Sequence, residues 1–309
     1  MKSLVVLASS LMLACSVLAP SVSARNDASS AIRANVVTLQ DGTQIHCLEA
    51  GKLTALPALI LIPGWTLPAF LWDEQLRAFS ADRLVIAIDP RSQGDSSKSE
   101  ANNTPEQRAR DLREVLLKHR VSQAVVVGWS QGAQDVAAYL QQFGSDGLAG
   151  VVFVDSPVSG GASELESNSQ FAQGVLKRLQ SFVEHPAEYR AGLAHSLFNR
   201  PHPELQIDKL IAHVTKTPVS TAVTMLVMDL FTVDRRPALA RLDKPTLVIA
   251  SSGSDLLEAQ KSMAATIPGA QFVAVPQTGH AVFVDDPTTF DQALQRLLDS
   301  AVGAKKTNP

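Results

Sequence analysis

Three side chains with complementary chemistry stand in short, distinctive surroundings. Ser130 occupies the centre of GWSQG, with Gly128 and Gly132 two residues to either side. His280 lies in PQTGHAVFVDDP, and Asp255 in LVIASSGSDLL. A serine hydroxyl is a weak nucleophile until a base takes its proton, and an imidazole does this best when a carboxylate holds it. Together the three could carry out acyl transfer. Ser130 would attack a carbonyl, His280 would remove its proton, and Asp255 would fix the ring. The Gln131 N–H would hold the oxyanion that forms.

The surrounding pattern explains how such a serine would be presented. AVVV, ahead of GWSQG, is apolar and β-branched, as a buried strand requires. After it, Val136, Ala137 and Leu140 share one helical face. A strand running straight into a helix needs a tight turn. Glycines make room for it, and Ser130 sits at the apex in a strained conformation. The helix start beneath it offers unpaired N–H groups and a positive dipole end.

The same alternation runs along the chain. NVVTLQDGTQIHCLEAG reads as a hairpin turning at Asp41-Gly42. Apolar strands are expected at 58–63, 83–90, 123–128, 150–155, 245–251 and 270–275, separated by helices. One helix opens at Thr104 with Pro105 in its first turn and Gln107 closing a capping box. The expected fold is α/β, a mostly parallel eight-stranded sheet with helices on both faces. Residues 157–239 break the alternation and read as a helical cap inserted after strand 6, over the strand ends. The core then comprises 25–156 and 240–302, with a tail at 303–309. The apolar cap segment AVTMLVMDLF points to an apolar pocket, with Met225 and Met228 as lining candidates. Trp65 and Trp129 flank the site in sequence, and either wall the pocket or pack in the core.

His280 follows the last expected strand, and Asp255 follows the one before it. The order Ser130, Asp255, His280 is that of one known triad architecture. Asp155, ending VVFVD, is the alternative acid. Asp285 and Asp286 sit too near His280 in sequence for that arrangement.

With GWSQG, LIPGW, DPRSQGDSS, PTLVIASSGSD and GHAVFVDDP in place, the chain resembles the α/β-hydrolase superfamily from about residue 36 to 300. It is most similar to the esterase and cofactor-free haloperoxidase-type members. The resemblance implies Ser130 as nucleophile, His280 as base and Asp255 as acid. It adds the Trp65 N–H as the second oxyanion donor, and it implies no cofactor. Three departures stand out. Pro63-Gly64 replaces the usual His-Gly, RSQG replaces Arg-Gly-His-Gly, and SSGSD replaces Gly-x-x-Asp. The function expected is hydrolysis of a small to medium carboxylic ester or lactone. Perhydrolysis or acyl transfer at the same triad is the alternative, as is a non-catalytic ligand-binding protein. A serine at the elbow argues against epoxide hydrolase and dehalogenase chemistry, which use an aspartate there.

The chain has 309 residues, 45% hydrophobic and 18% charged, with a formal net charge of −3. The charge leaves no basic footprint for nucleic acid or an anionic membrane, and the partner expected is a small-molecule substrate. Residues 1–24 read as a signal peptide: a Lys2 start, an apolar run and small residues before Arg25. Polar residues interrupt that run, which argues against a stable membrane span. Export to the periplasm or medium is expected, with lipidation at Cys15 as an alternative. Removal of the leader would leave Cys47 alone, as a core residue without a disulfide. His185, His195, His202 and His213 lack metal-ligand spacing, and no metal is expected.

Overall fold

The structure, a computed structural model, describes residues 31–303. The expected leader, the lipidation candidate Cys15 and residues 304–309 lie outside the described residues. Eight strands form one sheet: β1 (Arg33–Thr38), β2 (Gln44–Ala50), β3 (Ala58–Ile62), β4 (Val85–Ile88), β5 (Ala124–Trp129), β6 (Leu148–Val154), β7 (Thr246–Ser251) and β8 (Gln271–Val275). Their order across the sheet is β1-β2-β4-β3-β5-β6-β7-β8. β2 runs antiparallel to both its neighbours, and β3 to β8 run parallel. The expected hairpin forms the antiparallel edge, and Gly42 at its turn has φ 84°.

The continuous apolar runs are now explained. Every residue of β3, β4, β5, β6 and β7 is buried, because helices cover both faces. Alternate residues feed different cores. Leu59, Leu61 and Val127 pack with Trp72, Leu294 and Leu298 on one face. Ile60, Val126 and Phe153 pack with Leu112, Val136 and Met263 on the other. The helices of the core are α1 (Asp73–Phe79), α2 (Pro105–Lys118), α3 (Gln131–Phe143), α10 (Leu257–Thr266), α11 (Val282–Asp285) and α12 (Pro287–Gly303). Cys47 is buried and free, and burial pushes its thiol well above the usual range.

α2 starts as expected at Thr104, whose hydroxyl accepts the Gln107 N–H at 3.2 Å. The reciprocal half of the capping box does not form. The Gln107 carboxamide turns along the helix instead, donating to Asp111 and accepting from Arg110.

Between β6 and β7 lie six α-helices: α4 (Ser163–Ser167), α5 (Ser169–Glu184), α6 (Pro186–Ser196), α7 (Ile207–Thr215), α8 (Val219–Phe231) and α9 (Arg236–Leu239). They occupy the span expected for the cap. α5 and α8 pack through Val175, Leu179 and Phe231, with Leu226 and Leu230 half-buried beside them. No single described helix is long and apolar enough to cross a membrane.

Candidate active site

Ser130 is the junction residue between β5 and α3, with φ 56° and ψ −117°. That conformation is costly for a residue with a Cβ, and such strain is held only where the surroundings fix it. The surroundings here are tight. A Cβ on Gly128 would sit 2.4 Å from the Gly132 carbonyl oxygen, and one on Gly132 would sit 2.8 Å from the Ile62 oxygen. The Ser130 N–H donates to Val154 O at 3.0 Å, which ties the turn to β6. The loop after β3 passes so close that a Cβ on Gly64 would lie 3.0 Å from Ser130 Cβ. The N–H groups of Trp65, on that loop, and Gln131, first in α3, are not taken up by a carbonyl among the described residues. Both residues border the same cavity as Ser130.

His280 leads from β8 into α11. Its Nδ1 pairs with Asp155 Oδ2 at 2.7 Å. This overturns the expected acid: the structure places Asp155, not Asp255, against the histidine. Asp155 is 3% exposed and lies one residue past β6, the strand next to β5. Its other oxygen accepts the Ser251 N–H at 3.0 Å and the Gln260 amide at 3.1 Å. The carboxylate is thus fully committed, and His280 Nε2 is the nitrogen left for the serine. Asp255 lies four residues beyond β7, exposed, with no hydrogen bond to His280 among the described residues. The loop after β7 serves the acid instead. Its Ser251 N–H holds Asp155, and its Ser251 hydroxyl donates to Thr278 O at 2.6 Å.

Ser130, Gln131, Asp155 and His280 border one cavity of about 810 Å³ between the sheet and the cap. Residues 59–293 match the model of the alpha/beta hydrolase family. The chain belongs to the alpha/beta hydrolase family. It is 24% identical to a pimeloyl-acyl-carrier-protein methyl ester esterase of Vibrio atlanticus, over 76% of this chain and 91% of that protein. It is 31% identical to a bifunctional esterase/perhydrolase of Acinetobacter calcoaceticus, over 39% of this chain and 44% of that protein. An esterase structure from Exiguobacterium antarcticum superposes with TM-score 0.74 at 17% identity, covering 86% of this chain and all of that one. A bromoperoxidase from Bacillus anthracis gives 0.75 at 18%, again over 86% of this chain and all of that one.

The walls of the hydrolase cavity differ from the expected set. Trp65 lines it, with its indole N–H donating to Ala222 O at 2.8 Å. Trp129 is fully buried behind it, edge-on to Trp72 and Phe283, and its indole N–H donates to His280 O at 2.9 Å. It braces the histidine and does not wall the pocket. Met225 is fully buried against Trp65 and Phe182, and Met228 is not in the cavity wall. The helical period gives the reason. α8 turns Leu226, Asp229 and Leu230 toward the cavity, spaced three and four apart; Met228 points away from that face, and Met225 sits at its edge, covered in the cluster with Trp65 and Phe182.

Asp229 was hidden within an apolar helix. A lone acid in such a segment must find partners, and that is the signal by which it could have been found. It is 1% exposed, accepts from Arg108 at 2.6 Å and accepts the Gln131 side-chain amide. Arg108 also bonds Asp135 at 2.8 Å. Burial pushes both carboxyls above the usual range, while Arg108 between them opposes it. This network ties the cap helix to Gln131, the residue beside Ser130. Removing one partner of a buried ion pair leaves the other uncompensated, at a cost of about 3–5 kcal/mol. Asp229→Ala is expected to fall near the lower end, since Arg108 keeps Asp135. Chemical denaturation measures it, and a stability change below about 0.5 kcal/mol would show that the network does not hold the cap.

Asp285, set aside as a triad acid, supports the histidine loop. Its Oδ2 accepts the N–H groups of Gly279 at 2.6 Å and Asn199 at 2.8 Å, and its Oδ1 pairs with His202 Nε2 at 2.7 Å. Cap residues thus pin the segment that carries His280. Asp89 of DPRSQGDSS plays a similar part near the Trp65 loop, accepting the Ala69 N–H at 2.6 Å and the Asp95 N–H at 2.8 Å. His46, Asp89 and Asp95 bring their ligand atoms within 4.8 Å of one another. These oxygens are already engaged, Asp89 by the two N–H groups and His46, and Asp95 by Lys216.

Proposed function

We propose that the chain hydrolyses carboxylic esters through an acyl-enzyme on Ser130. One observation carries this reading. A strained serine and a histidine whose far nitrogen is held by a buried carboxylate face the same cavity. His280 Nε2 takes the Ser130 proton as Oγ attacks the ester carbonyl. Asp155 stabilises the imidazolium, and the Trp65 and Gln131 N–H groups hold the oxyanion. The alkoxide leaves with the proton from His280. Water, deprotonated by the same nitrogen, then cleaves the acyl-enzyme to a carboxylic acid and frees the serine. Ser130 Oγ makes no hydrogen bond to His280 among the described residues, and such contacts commonly tighten only with substrate bound. The similarity to a bifunctional esterase/perhydrolase supports a second use of the site, with hydrogen peroxide accepting the acyl group in place of water to give a peracid.

Fluorophosphonate labelling tests the reading. The reagent is expected to form one adduct, which peptide mass spectrometry should place on Ser130. No adduct, or one elsewhere, would overturn it.

A further inference from the structure

A second cavity of about 570 Å³ adjoins the first. It runs between the cap and α10, with Ala259, Ser262 and Met263 on one side and Leu239 and Asn168 on others. Ser156, Phe171, Leu230 and Leu256 border both spaces. Ser156 directly follows Asp155, so the neck begins one residue from the side chain that holds His280. Phe171, Leu230 and Leu256 are apolar yet only half-buried; Phe171 and Leu230 pack on the α5–α8 cluster, and all three border both cavities. The second wall holds two charged residues, of opposite sign. Glu164 accepts the Gly160 N–H at 3.0 Å, and Arg236 pairs with Asp234 at 2.8 Å.

We infer that the second cavity is a subsite for an extended, uncharged apolar arm of the substrate, reached from Ser130 through the neck at Leu256. The inference rests on the ester-hydrolase reading and names its substrate class: esters with a long hydrocarbon arm. The first cavity alone has the volume of an ordinary small-molecule site, so a short ester leaves the second empty. The wall's two charged groups, Glu164 and Arg236, are of opposite sign and give it no net charge to attract a charged arm, and its half-buried apolar side chains gain by losing water. The reaction is unchanged. Water adds at the carbonyl carbon, the C–O bond to the alcohol breaks, and acid and alcohol leave.

The test uses two variants outside the catalytic machinery, Ala259→Trp and Ser262→Trp, which fill the subsite from exposed positions on α10. Two ester series are assayed, one lengthened on the acyl side and one on the alcohol side, from four carbons to about twelve. In the wild type, kcat/KM in one series should rise by about two- to fourfold for each methylene entering the subsite. Each variant should keep wild-type activity on the shortest esters and lose at least about tenfold on the longest. Binding of a dansyl-labelled undecanoic acid, followed by fluorescence, reads the subsite without turnover and should be weakened by both substitutions. Chain-length profiles and probe affinities that match the wild type in both variants would overturn the subsite. A wild type that hydrolyses no ester but binds the probe in a manner sensitive to Ala259→Trp would overturn the ester-hydrolase reading and leave the subsite standing.

Discussion

Asp155→Asn is expected to lower kcat on short esters by up to about 10⁴-fold, while Asp255→Asn leaves it nearly unchanged. The hydrogen bonds around Asp155 set the direction. Its Oδ1 accepts from the Ser251 N–H and from the Gln260 amide. Both partners are donors, so an asparagine must keep its carbonyl oxygen at that position. Its NH₂ group then points where Oδ2 stood, at His280 Nδ1. A donor there forces Nδ1 to accept, which puts the ring proton on Nε2. The nitrogen that should take the Ser130 proton is then already protonated. Asp255 is exposed and holds nothing near the histidine, so its replacement changes only a charge at the cavity rim. Steady-state kinetics on both folded variants decide it. A large loss with Asp255→Asn and a small one with Asp155→Asn would mean that the acid is delivered from the β7 loop during turnover.

Ser130→Ala is expected to remove ester hydrolysis by on the order of 10⁴-fold or more, with stability nearly unchanged. The residual rate would come from the oxyanion donors and from binding alone. Folding should survive for reasons visible at the turn. The Ser130 hydroxyl makes no hydrogen bond among the described residues, so its loss strands no partner. The backbone strain at φ 56° is borne by the peptide and Cβ, which alanine retains. The Ser130 N–H bond to Val154 is also kept. Parallel measurements of kcat/KM and of the denaturation midpoint separate the two effects. A folded Ser130→Ala protein with activity near the wild type would refute nucleophilic attack by this residue.

What the sequence by itself determined was local. The strands, the hairpin at Asp41-Gly42 and the start of α2 follow from periodicity and turn chemistry acting over a few residues. The elbow at Ser130 follows in the same way, because only glycine leaves room where Gly132 approaches Gly128 and Ile62. The cap was legible as a break in that alternation. The acid was not. Asp155 and Asp255 both follow apolar strands, and chain order favoured the wrong one. The choice depends on β6 lying beside β5 and on how far each loop runs before its acid: one residue for Asp155, four for Asp255. The roles of Trp129, Met225 and Asp229 were hidden for a related reason. Spacing shows which residues share a face of an element. Which neighbour that face meets is set by packing between segments far apart in the chain. Only the folded arrangement could show that Trp129 braces His280, that Met225 backs Trp65, and that an acid in an apolar cap helix reaches Gln131, next to Ser130.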